Sequence, residues 1–143
     1  MKGDEKMIGI LLLTHEDFGK AMLKSAELVL GSIENVKTLG LHRGDDIELF
    51  CDRVKKEIEA LNQDDGVLVF ADLFGASPYN AAAVASSKIT VPYKCITGLS
   101  FPMLLEAITT RNGSDLDTLT KSCMIAGMMG IKELFEELSK VKK

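Results

Sequence analysis

Two stretches of the chain are apolar without alternation, as strands covered on both faces are: Met7-Ile-Gly-Ile-Leu-Leu-Leu-Thr14 and Val67-Leu-Val-Phe-Ala71. Asn35 to Leu41 and Tyr93 to Thr97 are shorter strand candidates. Between these runs the apolar spacing changes to that of a helix. It is clearest at Ile47, Phe50, Val54, Ile58 and Leu61, in a helix begun by Asp45 or Asp46. An earlier helix, with Phe18, Met22, Ala26 and Val29 or Leu30 on its apolar side, is expected to be capped by Asp17 and stopped by Gly31. Ser77-Pro78 reads as an N-cap followed by proline at the first helical position, opening an alanine-rich helix to Ser86. Pro102 opens a helix through Met103, Leu104 and Ile108, which Asn112-Gly113 ends. Ser114 with Asp115 or Asp117 starts another around Leu116, Leu119 and Cys123. The pattern leaves Met124 to Met129 open between helix, strand and loop, and Gly127 and Gly130 interrupt it before a last amphipathic segment, Ile131 to Leu138.

Strand and helix alternating about four times predicts an α/β fold: a doubly wound, mainly parallel sheet with helices on both faces. Residues 1–6 are polar and expected to form a disordered extension, and 7–143 a single domain, since no repeat or Pro-rich linker divides them. The chain has 143 residues, 46% hydrophobic and 27% charged, the composition of an ordinary folded domain. Seventeen basic residues against 21 acidic ones give a net charge of −4, which argues against nucleic acid as a main partner. Met7 to Leu13 is too short to span a bilayer, and the polar residues that follow argue against a signal peptide. Three widely spaced cysteines, Cys51, Cys95 and Cys123, argue against a disulfide framework or a structural zinc site and favour the cytoplasm.

In open parallel sheets, ligands bind beyond the carboxyl ends of the strands. The residues there are Thr14, His15 and Glu16; His42, Arg43 and Gly44; Asp72 to Ser77; and Thr97, Gly98 and Ser100. His15 and Asp72 follow the two most apolar strands. A carboxylate that accepts from one imidazole nitrogen fixes the tautomer and leaves the other nitrogen as a nucleophile. The helix after Ser77 would offer backbone N–H groups and a positive dipole end to an anion, with Gly75 and Ala76 small enough to admit it. A nucleophilic imidazole, an orienting carboxylate and a phosphate cradle together suggest phosphoryl transfer through phosphohistidine. His42 and Arg43 read as solvated loop residues. Glu16 and Asp17 would repel phosphate unless they point at helix N-termini.

Thr14-His15, Asp72-Leu-Phe-Gly-Ala-Ser-Pro78 and Thr97-Gly-Leu-Ser-Phe-Pro-Met-Leu-Leu-Glu106 resemble, in that order and spacing, the mannose-family enzyme IIA domain. That domain belongs to the bacterial phosphoenolpyruvate-dependent sugar phosphotransferase system, and the resemblance covers about residues 7 to 120. It implies a phosphotransferase that takes phosphate from the phosphocarrier HPr and passes it to the IIB component, upstream of the membrane components IIC and IID. His15 would be phosphorylated on Nε2 and Asp72 would be its hydrogen-bond partner. Thr14, Gly75, Ala76 and Ser77 would surround the phosphate, with no metal and no cofactor. The resemblance further implies a cytoplasmic homodimer that exchanges an antiparallel edge strand, for which the late Met-rich stretch is the candidate, and a separate IIB polypeptide. Ala76 departs from the family's second glycine, which calls for a negative φ there. Ser100-Phe101 stands in place of Asn-Leu. The alternatives are the phosphotransfer subunit of dihydroxyacetone kinase, a phosphorylation-dependent regulatory module, and a plain anion-binding protein.

Overall fold

The computed structural model describes residues 6–141. The chain runs β1 (Gly9–His15), α1 (Phe18–Leu30), β2 (Val36–Leu41), α2 (Ile47–Leu61) and β3 (Val67–Ala71). It continues as α3 (Ser77–Ala85), β4 (Tyr93–Thr97), α4 (Phe101–Thr110), α5 (Leu116–Met129) and α6 (Leu134–Val141). The strands form one sheet in the order β2-β1-β3-β4, and every neighbouring pair is parallel. The two all-apolar runs are its central strands, β3 buried throughout and β1 buried up to His15, as central strands of a sheet covered on both sides are.

Strand alternation divides the core in two. Ile10 and Leu12 of β1, with Leu68 and Phe70 of β3, pack against Ala26, Met103, Leu104, Ala107, Leu119 and Cys123 of α1, α4 and α5. Leu11, Leu13, Val67 and Val69 pack on the opposite face against Phe50, Val54, Ile58 and Leu61 of α2 and Ala81, Ala82 and Ala85 of α3. The three small alanines let α3 lie close to the sheet. Burial pushes the thiol of Cys95 up to about 11 and that of Cys123 up to about 12, so both stay protonated at neutral pH.

At the amino ends of the strands, Arg111 is buried. Its Nη1 donates to the carbonyls of Ile8 and Asn35 at 3.1 and 3.2 Å, and its Nη2 donates to that of Glu34. One guanidinium thus satisfies three carbonyls at the entries to β1 and β2. Burial lowers its pKa, and Glu34 partly offsets that.

Four local expectations need correction. Asp17 precedes α1 but makes no side-chain cap; instead Thr14 Oγ1 accepts from the Gly19 N–H at 2.9 Å. Ser77 is the first helical residue of α3, and the N-cap is Ala76. Met124 to Met129 completes α5, where Gly127 and Gly130 act as packing positions: β-carbons there would fall 2.6 Å from Met103 Cε and 2.5 Å from Pro102 Cγ. The stretch expected to provide an exchanged strand is therefore helical, and among the described residues the sheet has no antiparallel strand. The last amphipathic segment begins at Leu134 rather than Ile131 and buries no side chain. Of the expected extension, residues 1–5 lie outside the described residues, as do 142–143; Lys6 is exposed, with Nζ 2.9 Å from Asp64.

Candidate functional site: the carboxyl ends of β1 and β3

After β1 the chain turns toward β2, and after β3 it turns the other way, toward β4. The gap between β1 and β3 is the switch point at which such sheets bind ligands. The register Leu13↔Ala71 sets Asp72 one residue beyond the ladder, next to the end of β1. There Asp72 Oδ2 accepts the backbone N–H of His15 at 2.9 Å and lies 2.9 Å from its Nδ1. An ionised carboxylate only accepts, so a neutral imidazole in this contact would carry its proton on Nδ1 and leave the Nε2 lone pair free. The imidazole is 48% exposed and the Asp72 side chain 10%. Asp72 Oδ1 is buried without a hydrogen-bond partner among the described residues. A carboxylate serving only the fold would be expected to engage both oxygens.

The turn that carries His15 is tightly built. Thr14 is buried beneath it, holding the start of α1 rather than facing the opening. Glu16 adopts φ 50°, a left-handed conformation that costs a residue with a β-carbon about 1–2 kcal/mol. Its N–H donates to the carbonyl of Leu41 at 2.9 Å. Its own carbonyl oxygen lies 2.0 Å from where a β-carbon on residue 40 would stand, so Gly40 is what admits the turn.

The second loop, Asp72 to Ser77, ends at the N-terminus of α3. Gly75 takes φ 81°, where glycine is favoured, and Ala76 takes φ −84° and ψ 174°, so alanine fits without strain. Asn80 Nδ2 donates to the Gly75 carbonyl at 3.2 Å and fixes the loop against α3. No side chain caps this helix, so its first-turn N–H groups and dipole remain available to an anion. Leu73 and Phe74 are exposed beside it, the Phe74 ring 4.8 Å from that of Tyr79. Ser100 Oγ, before α4, is buried without a partner among the described residues.

His42 is the residue that the sequence reading undervalued. It is no free loop residue: Nε2 is 2.9 Å from Asp17 Oδ1 and 3.9 Å from Glu16 Oε1, and Nδ1 is 3.6 Å from Asp45 Oδ2. The hydrogen bond with Asp17 and the nearby carboxylates raise its pKa above 6.5, and the same bond lowers that of Asp17. Arg43 contributes its backbone N–H, which donates to Glu16 Oε2 at 3.2 Å. The signal was present in the strand ends: once β1 and β2 are neighbours, His42 follows the partner of His15.

The cavities described, of about 320 to 620 Å³, run along α3 and β4, between β4 and α5, and between α1 and Phe101; neither His15 nor Asp72 lines any of them. Among the described residues no group of three or more His, Cys, Asp or Glu side chains is arranged to hold a metal ion, and no helix is long and apolar enough to cross a membrane.

Residues 9–124 match the family model described as "PTS system fructose IIA component". The mannose-specific EIIAB component of Escherichia coli K12 is 33% identical over 131 residues, 89% of this chain and 39% of that protein. The chain thus spans about two-fifths of that relative. The fructose-specific EIIA component of Bacillus subtilis is 26% identical over 138 residues, 95% of this chain and 92% of that one. Among solved structures, EIIA from Streptococcus agalactiae superposes with a TM-score of 0.83 at 26% identity, covering 91% of this chain and 99% of its own. With more than two-thirds of its length matched by the family model and the parallel sheet shared with a solved EIIA structure, the chain belongs to the enzyme IIA family of the sugar phosphotransferase system.

Proposed function

We propose that this chain is a sugar-system phosphocarrier that accepts phosphate from HPr on His15 and passes it to a IIB component. The observation that carries this reading is the 2.9 Å contact of Asp72 Oδ2 with Nδ1 of the half-exposed His15 ring, an arrangement that, with the proton on Nδ1, leaves Nε2 as the nucleophile. In the proposed step the Nε2 lone pair attacks the phosphorus of phospho-HPr. The P–N bond of the donor breaks, and its electron pair returns to the donor imidazole. The Nδ1 proton stays shared with Asp72, whose charge offsets the positive character His15 gains. Both partners are phosphohistidines, so the transfer is nearly balanced in free energy and runs on to IIB by the same route. Catalysis is then positioning and electrostatics.

Ser77 and the backbone of Gly75 and Ala76 at the start of α3 would receive the phosphoryl oxygens, and buried Thr14 would hold the histidine's turn from beneath. A half-exposed imidazole can be reached by a phosphoryl group that another protein delivers. Exposed Leu73 and Phe74 beside it supply apolar area for such docking. The family match favours the sugar system over the dihydroxyacetone-kinase subunit. We further propose that residues 7–143 act as one cytoplasmic domain and pair as a homodimer.

The test is intact-mass analysis after incubation with enzyme I, HPr and phosphoenolpyruvate, alongside His15→Ala. The expected result is an HPr-dependent, acid-labile gain of one phosphate that the variant lacks. No gain with cognate HPr would overturn the reading.

A further inference from the structure

The turn that presents His15 is tied to the β2–α2 loop by a second histidine. His42 reaches Asp17 at 2.9 Å with Nε2 and faces Asp45 at 3.6 Å with Nδ1, while its own backbone N–H donates to Asp45 Oδ2 at 2.8 Å. The neighbouring N–H of Arg43 takes Glu16. Glu16 and Asp17 directly follow His15, and Glu16 has the left-handed backbone of a residue held in place from outside. We propose that His42 is a positioning residue: its imidazolium clasps the Glu16–Asp17 turn to the β2–α2 loop and so sets the placement of His15, making phosphate acceptance respond to the protonation of a second histidine.

The two protonation states differ in what they can hold. An imidazolium donates from Nε2 to Asp17 and places an N–H and positive charge 3.6 Å from Asp45 Oδ2, an ion-pair distance. A neutral ring that donates to Asp17 turns the Nδ1 lone pair toward Asp45, carboxylate against lone pair. The surrounding charges act in the same direction. Glu16 and Asp17 approach from the β1–α1 turn and Asp45 from the ring's own loop, with Lys20 of α1 acting on Asp17. These three carboxylates would repel an incoming phosphoryl group, and the imidazolium offsets part of their charge. The raised pKa of His42 agrees with this arrangement. The sign follows: a histidine raised above 6.5 by carboxylates contributes its clasp fully below that value, and the clasp is lost as pH rises through the raised pKa.

This role rests on the proposed phosphocarrier function, and its test separates the two. First, the ring signals of His15 are followed by NMR from about pH 6 to pH 9, in wild type and His42→Gln. Wild type should show, besides any titration of His15 itself, an inflection at the midpoint of His42, which the variant lacks. Identical curves overturn the proposal. Second, the rate of phosphate acceptance from phospho-HPr is measured over the same range. The wild-type to variant ratio should be about twofold to fivefold at the acid end, the range open to an exposed ion pair, and fall toward one as His42 deprotonates. A ratio independent of pH overturns the proposal. If no phosphate enters either protein, the phosphocarrier reading fails, while the NMR comparison, which needs no HPr, still decides the role of His42.

Discussion

One oxygen of Asp72 serves His15 twice, taking the backbone N–H and facing ring Nδ1, both at 2.9 Å. The first contact fixes where residue 15 sits, and the second fixes which way its ring turns and which nitrogen keeps the proton. Asp72→Asn should preserve much of the first and spoil the second, because an amide offers a donor as readily as an acceptor. Phosphate acceptance should fall at least about tenfold, as for other histidines that lose their orienting partner. Quenched-flow phosphorylation with a thermal melt checks it: a large rate loss with little change in the melting midpoint is the expected pair.

Ser77 heads α3 without capping it by side chain. Ser77→Ala should therefore leave stability within about 0.5 kcal/mol, short of the ~1 kcal/mol typical of a lost cap. If its hydroxyl meets the phosphoryl group, the phosphorylated protein should hydrolyse faster than wild type. Urea unfolding and the half-life of the phosphoprotein read the two effects separately.

Gly40 and Gly44 should respond differently to alanine. A β-carbon at residue 40 would stand 2.0 Å from the Glu16 carbonyl oxygen, and one at residue 44 meets open space, with only the strain of φ 87°. Gly40→Ala should cost about 3 kcal/mol or more and displace the His15 turn, lowering acceptance as well. Gly44→Ala should cost about 1 kcal/mol and spare the His15 turn. Equal losses of stability and of activity in the two variants would contradict the close approach of Glu16 to β2.

Arg111→Met replaces a buried guanidinium by an apolar chain and removes its hydrogen bonds to the carbonyls of Ile8, Glu34 and Asn35, of which Asn35 keeps the N–H of Ile10 at 3.1 Å. The expected loss is about 2–5 kcal/mol, read by denaturant unfolding. Because Arg111 stands at the amino ends of the strands, phosphate acceptance by the folded fraction should remain at the wild-type rate.

The sheet and the pairing of His15 with Asp72 were legible because unbroken apolar runs at Ile10–Leu13 and Val67–Ala71 admit little but central parallel strands. Once those strands are neighbours, the polar residues that follow them must meet. Capping residues were less legible, since Asp17 and Ser77 are both chemically fit to cap and the decision belongs to nonlocal partners. Asp17 is claimed by His42, and Thr14 serves α1 in its place. The end of α5 was obscured by Gly127 and Gly130, weak helix formers that serve here to admit Met103 and Pro102 of α4. No local pattern carries that contact.

The two members of the His15–Asp72 pair lie 57 residues apart, yet their strands are adjacent. A nascent chain emerging from the ribosome displays His15 well before the carboxylate that orients it has been synthesised. The pair can form only after β1 and β3 have closed the long loop between them, a nonlocal and therefore slow event. On the proposed mechanism, full nucleophilic competence is withheld until the centre of the sheet has assembled, and phosphorylation kinetics during refolding would time that assembly directly.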